Sequence, residues 1–108
     1  MLLHHELVVS EYTLEELSRT LIAMLHYPRR DADQVVFFLR RVGTTVVPAE
    51  LPADSCRDAE DIPVLGTAVA GQCALLVSVD RDLLDVKTIQ DIPIVRPGEF
   101  WCRTAEET

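Results

Sequence analysis

The chain reads as an α/β sandwich in three layers, with helices on both faces of a mostly parallel β-sheet. Two observations predict it. Strand-like and helix-like segments follow one another in the order β-α-α-β-α-β-(short α)-β. The clearest strand, Ala74 to Val79, is apolar almost throughout, as expected of a strand covered on both faces. The 108 residues make a single domain, 1–108, and with 48% of them apolar it can bury a core without staples.

Leu7-Val8-Val9 is a short β-prone run closed by Ser10. Leu14, Leu17, Leu21, Met24 and Leu25 then recur at helical spacing, predicting a helix from about Thr13 to His26 that Pro28 stops. Thr13-Leu-Glu-Glu16 fits a capping box at its start. Asp31 is placed to cap a second helix whose apolar face is Val35, Val36, Phe38, Leu39 and Val42, ending at Gly43. Thr44 to Val47 reads as a strand, and residues 48–60 as a loop rich in Pro, Asp, Glu and Ser. A helix from about Ile62 to Ala70 follows, with Pro63 in its first turn and Gly71 at its end. After the Ala74–Val79 strand, Asp80 to Leu84 forms a turn or short helix. Ile92 to Val95 is a last strand, expected at a sheet edge because Pro93 lacks an N–H, and Pro97 to Trp101 is a closing helical turn.

Composition excludes several classes. No apolar run approaches the 18–20 residues or so of a membrane span, so no membrane role is expected. Met1 to Val9 has neither a basic leader nor a small-residue cleavage site, which predicts a cytoplasmic protein without a signal peptide. Cys56, Cys73 and Cys102 are odd in number and widely spaced, fitting neither a disulfide framework nor a zinc site, and Cys73 is expected to be buried. The net charge of −8 opposes general nucleic-acid affinity, although the pairs Arg29-Arg30 and Arg40-Arg41 offer a basic edge for phosphate or a partner.

In open parallel sheets the functional crevice lies beyond the carboxyl ends of the strands. Glu16 follows the first strand, Asp61 enters the third helix, and Asp80 and Asp82 follow the Ala74–Val79 strand. Carboxylates gathered at one edge repel one another, so their convergence favours a hard divalent cation, Mg²⁺ or Mn²⁺, acting on a phosphodiester. Each acid also has a structural reading: Glu16 in the capping box, Asp61 as a cap, Asp80 opening an Asx turn. Glu15 is a solvated neighbour, and His4, His5 and His26 are read as solvated.

The segments Asp61-Ile-Pro-Val-Leu-Gly-Thr-Ala68, Leu75-Leu-Val-Ser-Val-Asp-Arg-Asp-Leu-Leu84 and Ile92-Pro-Ile-Val-Arg-Pro-Gly-Glu-Phe100 together resemble the C-terminal part of a PIN domain. Leu7-Val-Val-Ser-Glu-Tyr-Thr-Leu-Glu-Glu-Leu17 is similar to the second strand and following helix of the subgroup described as toxins of toxin–antitoxin pairs. The resemblance runs from about Glu6 to Trp101 and is most specific over Asp61–Leu84. It implies a Mg²⁺-dependent endoribonuclease in which Glu16, Asp61 and Asp80 are catalytic, Asp61, Asp80 and Asp82 hold metal, and Ser78 positions substrate. It also implies an RNA substrate and an antitoxin protein as partner. Val79 departs from the glycine often found before the strand-end acid.

The larger departure is at the front. Such domains open with a central strand carrying an Asp-Thr-Asn-like motif, whereas six residues precede Leu7, so an N-terminally truncated relative is expected. The neighbours of a missing strand are left with unpaired backbone groups, which predicts a homodimer. The alternative within the same scaffold is a degenerate binding or interaction module without catalysis. A phosphoacceptor domain would need a lysine at a late strand end, and Lys87 follows no clear strand. A purely structural interaction protein is the remaining class.

Overall fold

Two of the α-helices each begin at a side chain that accepts backbone N–H groups, and at the first helix that side chain is not the one expected. The computed structural model describes residues 6–100 and Cys102. Its elements run β1 (Val8–Val9), α1 (Glu11–Ala23), α2 (Arg29–Val42), β2 (Thr44–Thr45), a 3-10 turn (Ala59–Asp61), α3 (Ile62–Ala70), β3 (Leu76–Val77), α4 (Arg81–Val86), β4 (Thr88–Ile89) and β5 (Ile92–Val95). Residues 97–100 are helical. The Met1–His5 segment, with His4 and His5, and Trp101 lie outside the described residues.

The capping box of α1 uses Ser10 and Thr13, not Thr13 and Glu16. The Ser10 hydroxyl accepts the Thr13 N–H at 3.1 Å, and the Thr13 hydroxyl accepts the Ser10 N–H at 2.9 Å. The helix therefore starts two residues earlier than its apolar stripe suggests. Ser10 is fully buried and shares a 2.8 Å hydrogen bond with the Thr67 hydroxyl, so one cap also docks α1 on α3. α1 ends at Ala23, short of His26, which takes a positive φ of 58° as the chain turns into α2. Asp31 sits in the first turn of α2 rather than capping it, because the helix already begins after Pro28.

The strands form two sheets in place of the single sheet expected. β1 pairs with β2 in parallel, with Val8 opposite Thr44. β3, β5 and β4 form a second sheet in that order, β3 parallel and β4 antiparallel to β5. β5 is thus central, contrary to the edge position read from Pro93. Ile94 donates its N–H to the Lys87 carbonyl at 2.8 Å, which leaves Pro93 in the non-hydrogen-bonded position opposite Thr88, where its missing N–H is not needed. β4 was not foreseen at all. The expected strands Thr44–Val47 and Ala74–Val79 shorten to two residues each in their ladders.

Between the sheets lies a cleft of about 870 Å³ lined by residues of β1 and β3. The carbonyls of Leu7 and Val9 accept from Thr44 and Val46, so the alternation of a parallel ladder turns the backbone groups of Val8 away from β2. Ser78 donates to the Val95 carbonyl, and by the same alternation Val77 turns away from β5. Val8 and Val77 both line the cleft.

α1 packs on α2 and α3, α3 also on β1, and α4 on β5. The core beneath the second sheet is Cys56, Leu65, Leu83 and Ile94. Cys56, not Cys73, is the buried cysteine; Cys73 is half-buried, and all three thiols are free. Gly66 is required where α3 meets the chain before residue 50, because a Cβ there would lie 2.3 Å from the Ala49 carbonyl oxygen. Among the described residues no helix is long and apolar enough to cross a membrane.

Candidate metal centre

The 48–60 loop ends in a tight turn that the chain builds from its own acids. Asp58 accepts the Glu60 N–H through its carboxylate at 3.0 Å, and the Asp61 N–H donates to the Asp58 carbonyl at 3.0 Å. This 3-10 turn brings the Asp58 and Asp61 side chains to one side, since residues three apart eclipse in that geometry. Asp61 stands at the N-cap position of α3 but makes no cap hydrogen bond.

The facing acid comes from α4. Asp80 caps that helix, accepting the N–H groups of Asp82 at 2.8 Å and Leu83 at 3.4 Å, and its own N–H donates to the Ser78 hydroxyl at 2.9 Å. Ser78 therefore holds Asp80 in its turn. The Cys56 thiol reaches the Asp82 carbonyl at 3.6 Å and ties the loop to α4.

Asp58, Asp61 and Asp82 each offer one carboxylate oxygen, and these atoms lie within 4.8 Å of one another. Oxygens on opposite sides of a Mg²⁺ stand about 4 Å apart, so the set needs little adjustment to share one ion. All three acids are half-buried. Asp61 Oδ2 is buried and has no hydrogen-bond partner among the described residues. Burial, and then the charges of Asp80, Asp58, Asp82 and Glu16, push the Asp61 carboxyl up to about 6. A buried carboxylate oxygen without a partner among the described residues, in a carboxyl acted on by four other acids, is an arrangement that a hard cation can satisfy. The donor set is all oxygen, which suits Mg²⁺ or Mn²⁺.

The acids expected from the sequence divide. Asp61 and Asp82 are in the three-oxygen group. Asp80 is beside it, with its Oδ1 accepting the two cap N–H groups of α4. Glu16 acts on Asp61 through charge, while its carboxylate pairs with Arg19 at 3.3 Å. Tyr12 joins α1 to the turn by donating its hydroxyl to the Glu60 carbonyl; burial and then the Glu16, Glu60 and Asp61 charges raise its phenol. Asp58 was missed. Its signal was the three-residue spacing to Asp61, hidden inside a segment read as unstructured loop. On α2, Arg40 holds Glu11 through two hydrogen bonds of 2.7 and 3.0 Å, which lower the Glu11 carboxyl and raise the guanidinium. Arg29, Arg30 and Arg41 are exposed and make no ion pair among the described residues.

An α/β domain whose half-buried aspartates converge beside a strand end has the makings of a divalent-metal site. The profile described as PIN domain matches residues 3–82, nearly three-quarters of the chain, and the chain belongs to that family. No curated protein matches it.

Proposed function

We propose that the chain is a Mg²⁺- or Mn²⁺-dependent PIN-type endoribonuclease of the cytoplasm, the toxin of a toxin–antitoxin pair. The observation that carries this reading is the buried Asp61 Oδ2, without a hydrogen-bond partner among the described residues, in a group of three carboxylates. Asp58, Asp61 and Asp82 hold the ion. Asp80 and Glu16 add negative potential that draws a cation in, and Ser78 fixes the turn from which Asp80 and Asp82 project. When bound, the ion supplies charge neutralisation at the phosphodiester and acidifies water. The 3-10 turn and α4 keep the carboxylates in place, so little reorganisation is required on binding.

The expected result is cleavage of single-stranded RNA in Mn²⁺ or Mg²⁺, abolished by chelator and reduced at least 100-fold by Asp61→Asn, the scale on which preorganised charge contributes. Intact RNA with wild-type protein and metal rejects the nuclease reading. It would favour the second one, a scaffold that binds without cutting, which the open cleft between the two sheets supports.

A full three-layer sandwich requires the two sheets to be joined. The proposal includes a second copy closing the cleft between β1 and β3 in a homodimer. The arginines of α2 (Arg29, Arg30 and Arg41, with Arg40 shared with Glu11) are left for an antitoxin or for a longer RNA path.

A further inference from the structure

An edge rich in carboxylates repels a polyanion, and an ion at Asp58, Asp61 and Asp82 offsets only part of that repulsion. Two cations sit within one residue of the three acids. Arg57 precedes Asp58, and Arg81 stands between Asp80 and Asp82. One is carried by the loop that supplies Asp58 and the other by α4, which supplies Asp82.

Neither has an evident structural task. Both are exposed, and neither makes an ion pair among the described residues, although Asp54, Glu60 and Asp85 are near them in sequence. Arg19 and Arg40, by contrast, are each engaged by a carboxylate. Arg81 is also the first residue of α4, where the helix dipole disfavours a cation. A guanidinium in that position weakens the helix slightly and gains no ion-pair partner among the described residues.

We propose that Arg57 and Arg81 are substrate contacts, holding the phosphates on either side of the one at the metal. The inference rests on the nuclease reading above and specifies its substrate: single-stranded RNA long enough to present three consecutive phosphates. Guanidinium forks match phosphate oxygens in pairs, which an ammonium does not.

The test uses the full chain with Mn²⁺ and a labelled single-stranded RNA ten nucleotides long, in wild type, Arg57→Gln, Arg81→Gln and the double variant. Each single variant is expected to weaken RNA binding about five-fold and to take about 0.7 off the slope of log affinity against log salt, the double about 1.4. Mn²⁺ affinity, read by proton relaxation, should hold or rise, and Arg57→Lys and Arg81→Lys should restore the slope but only part of the affinity. Unchanged RNA affinity and slope in the double variant overturns the inference and leaves the nuclease reading standing. Parallel loss of RNA and Mn²⁺ binding also overturns it, since the arginines would then be shaping the metal site. A wild-type chain that takes up no Mn²⁺ removes the nuclease reading itself and the inference with it.

Discussion

Asp61 illustrates how one side chain can serve a site at the expense of the fold. Its carboxyl is pushed up to about 6 from an ordinary 3.8, by burial and then by its acidic neighbours. The folded chain therefore keeps a proton that the unfolded chain releases near 3.8. The associated stability is present below that pH and is lost as pH rises through about 6. In metal-free protein, Asp61→Asn should raise the melting temperature above pH 6, with the gain fading toward pH 4. Mn²⁺ should reverse the order, stabilising wild type and leaving the variant unmoved. Thermal melts in chelator and in Mn²⁺ across this pH range check both signs; a wild type that outlasts the variant in chelator at pH 7.5 would contradict the account. Asp61 and Asp82, which fall in the three-oxygen group, were legible in the sequence because each stands at the border of a strongly patterned segment. Asp58 was not, because its approach depends on a 3-10 turn whose only cue is the spacing of two acids. The roles of Ser10 and Thr67 were equally hidden, since a contact 57 residues apart leaves no local trace.

At the scale of elements, the β4–β5 hairpin shows what patterning misses. Its two-residue turn is Gln90-Asp91, and both residues take positive φ, 48° and 69°. A two-residue hairpin with positive φ at both positions is a type I′ turn, ordinarily marked by Asn-Gly or Asp-Gly. Without that marker the segment read as featureless, and β4 went unseen. The fold holds the two residues there despite a strain of about 1 kcal/mol each. Asp91→Gly relieves that strain but adds freedom to the unfolded chain, for a net gain of about 0.5 kcal/mol. The melting temperature should rise by about 2–4 °C, without change in Mn²⁺ affinity. A fall in melting temperature would mean that the Asp91 side chain contributes more than its backbone strain removes. The helices were easier to read. α3 matched its expected span, because Pro63 and Gly71 punctuate it and its apolar run is long enough to fix the period. Two-residue ladders carry too few residues for any period to emerge, so pairing partners, not sequence, set their limits.

For the whole molecule, the proposed closure of the cleft between the two sheets by a second copy carries its own test. That proposal predicts a dimer by light scattering at tens of micromolar, and a melting temperature that climbs with protein concentration. A well-folded monomer whose melting temperature is the same at 2 and 200 micromolar would exclude the dimer; those concentrations bracket the range in which mass action shifts such equilibria by about 2–3 kcal/mol.

The orientation of Val8 and Val77 makes this visible one amide at a time. Both turn their N–H groups toward the cleft, while Val9 and Ser78, one residue along, are held in ladders. In dilute protein the first pair should trade hydrogen for deuterium with solvent far sooner than the second. Closure of the cleft by another strand would slow Val8 and Val77 and leave their neighbours unchanged. Two adjacent amides in each strand thus form an internal clock and its control, able to report whether the cleft is open under any condition in which the protein is studied.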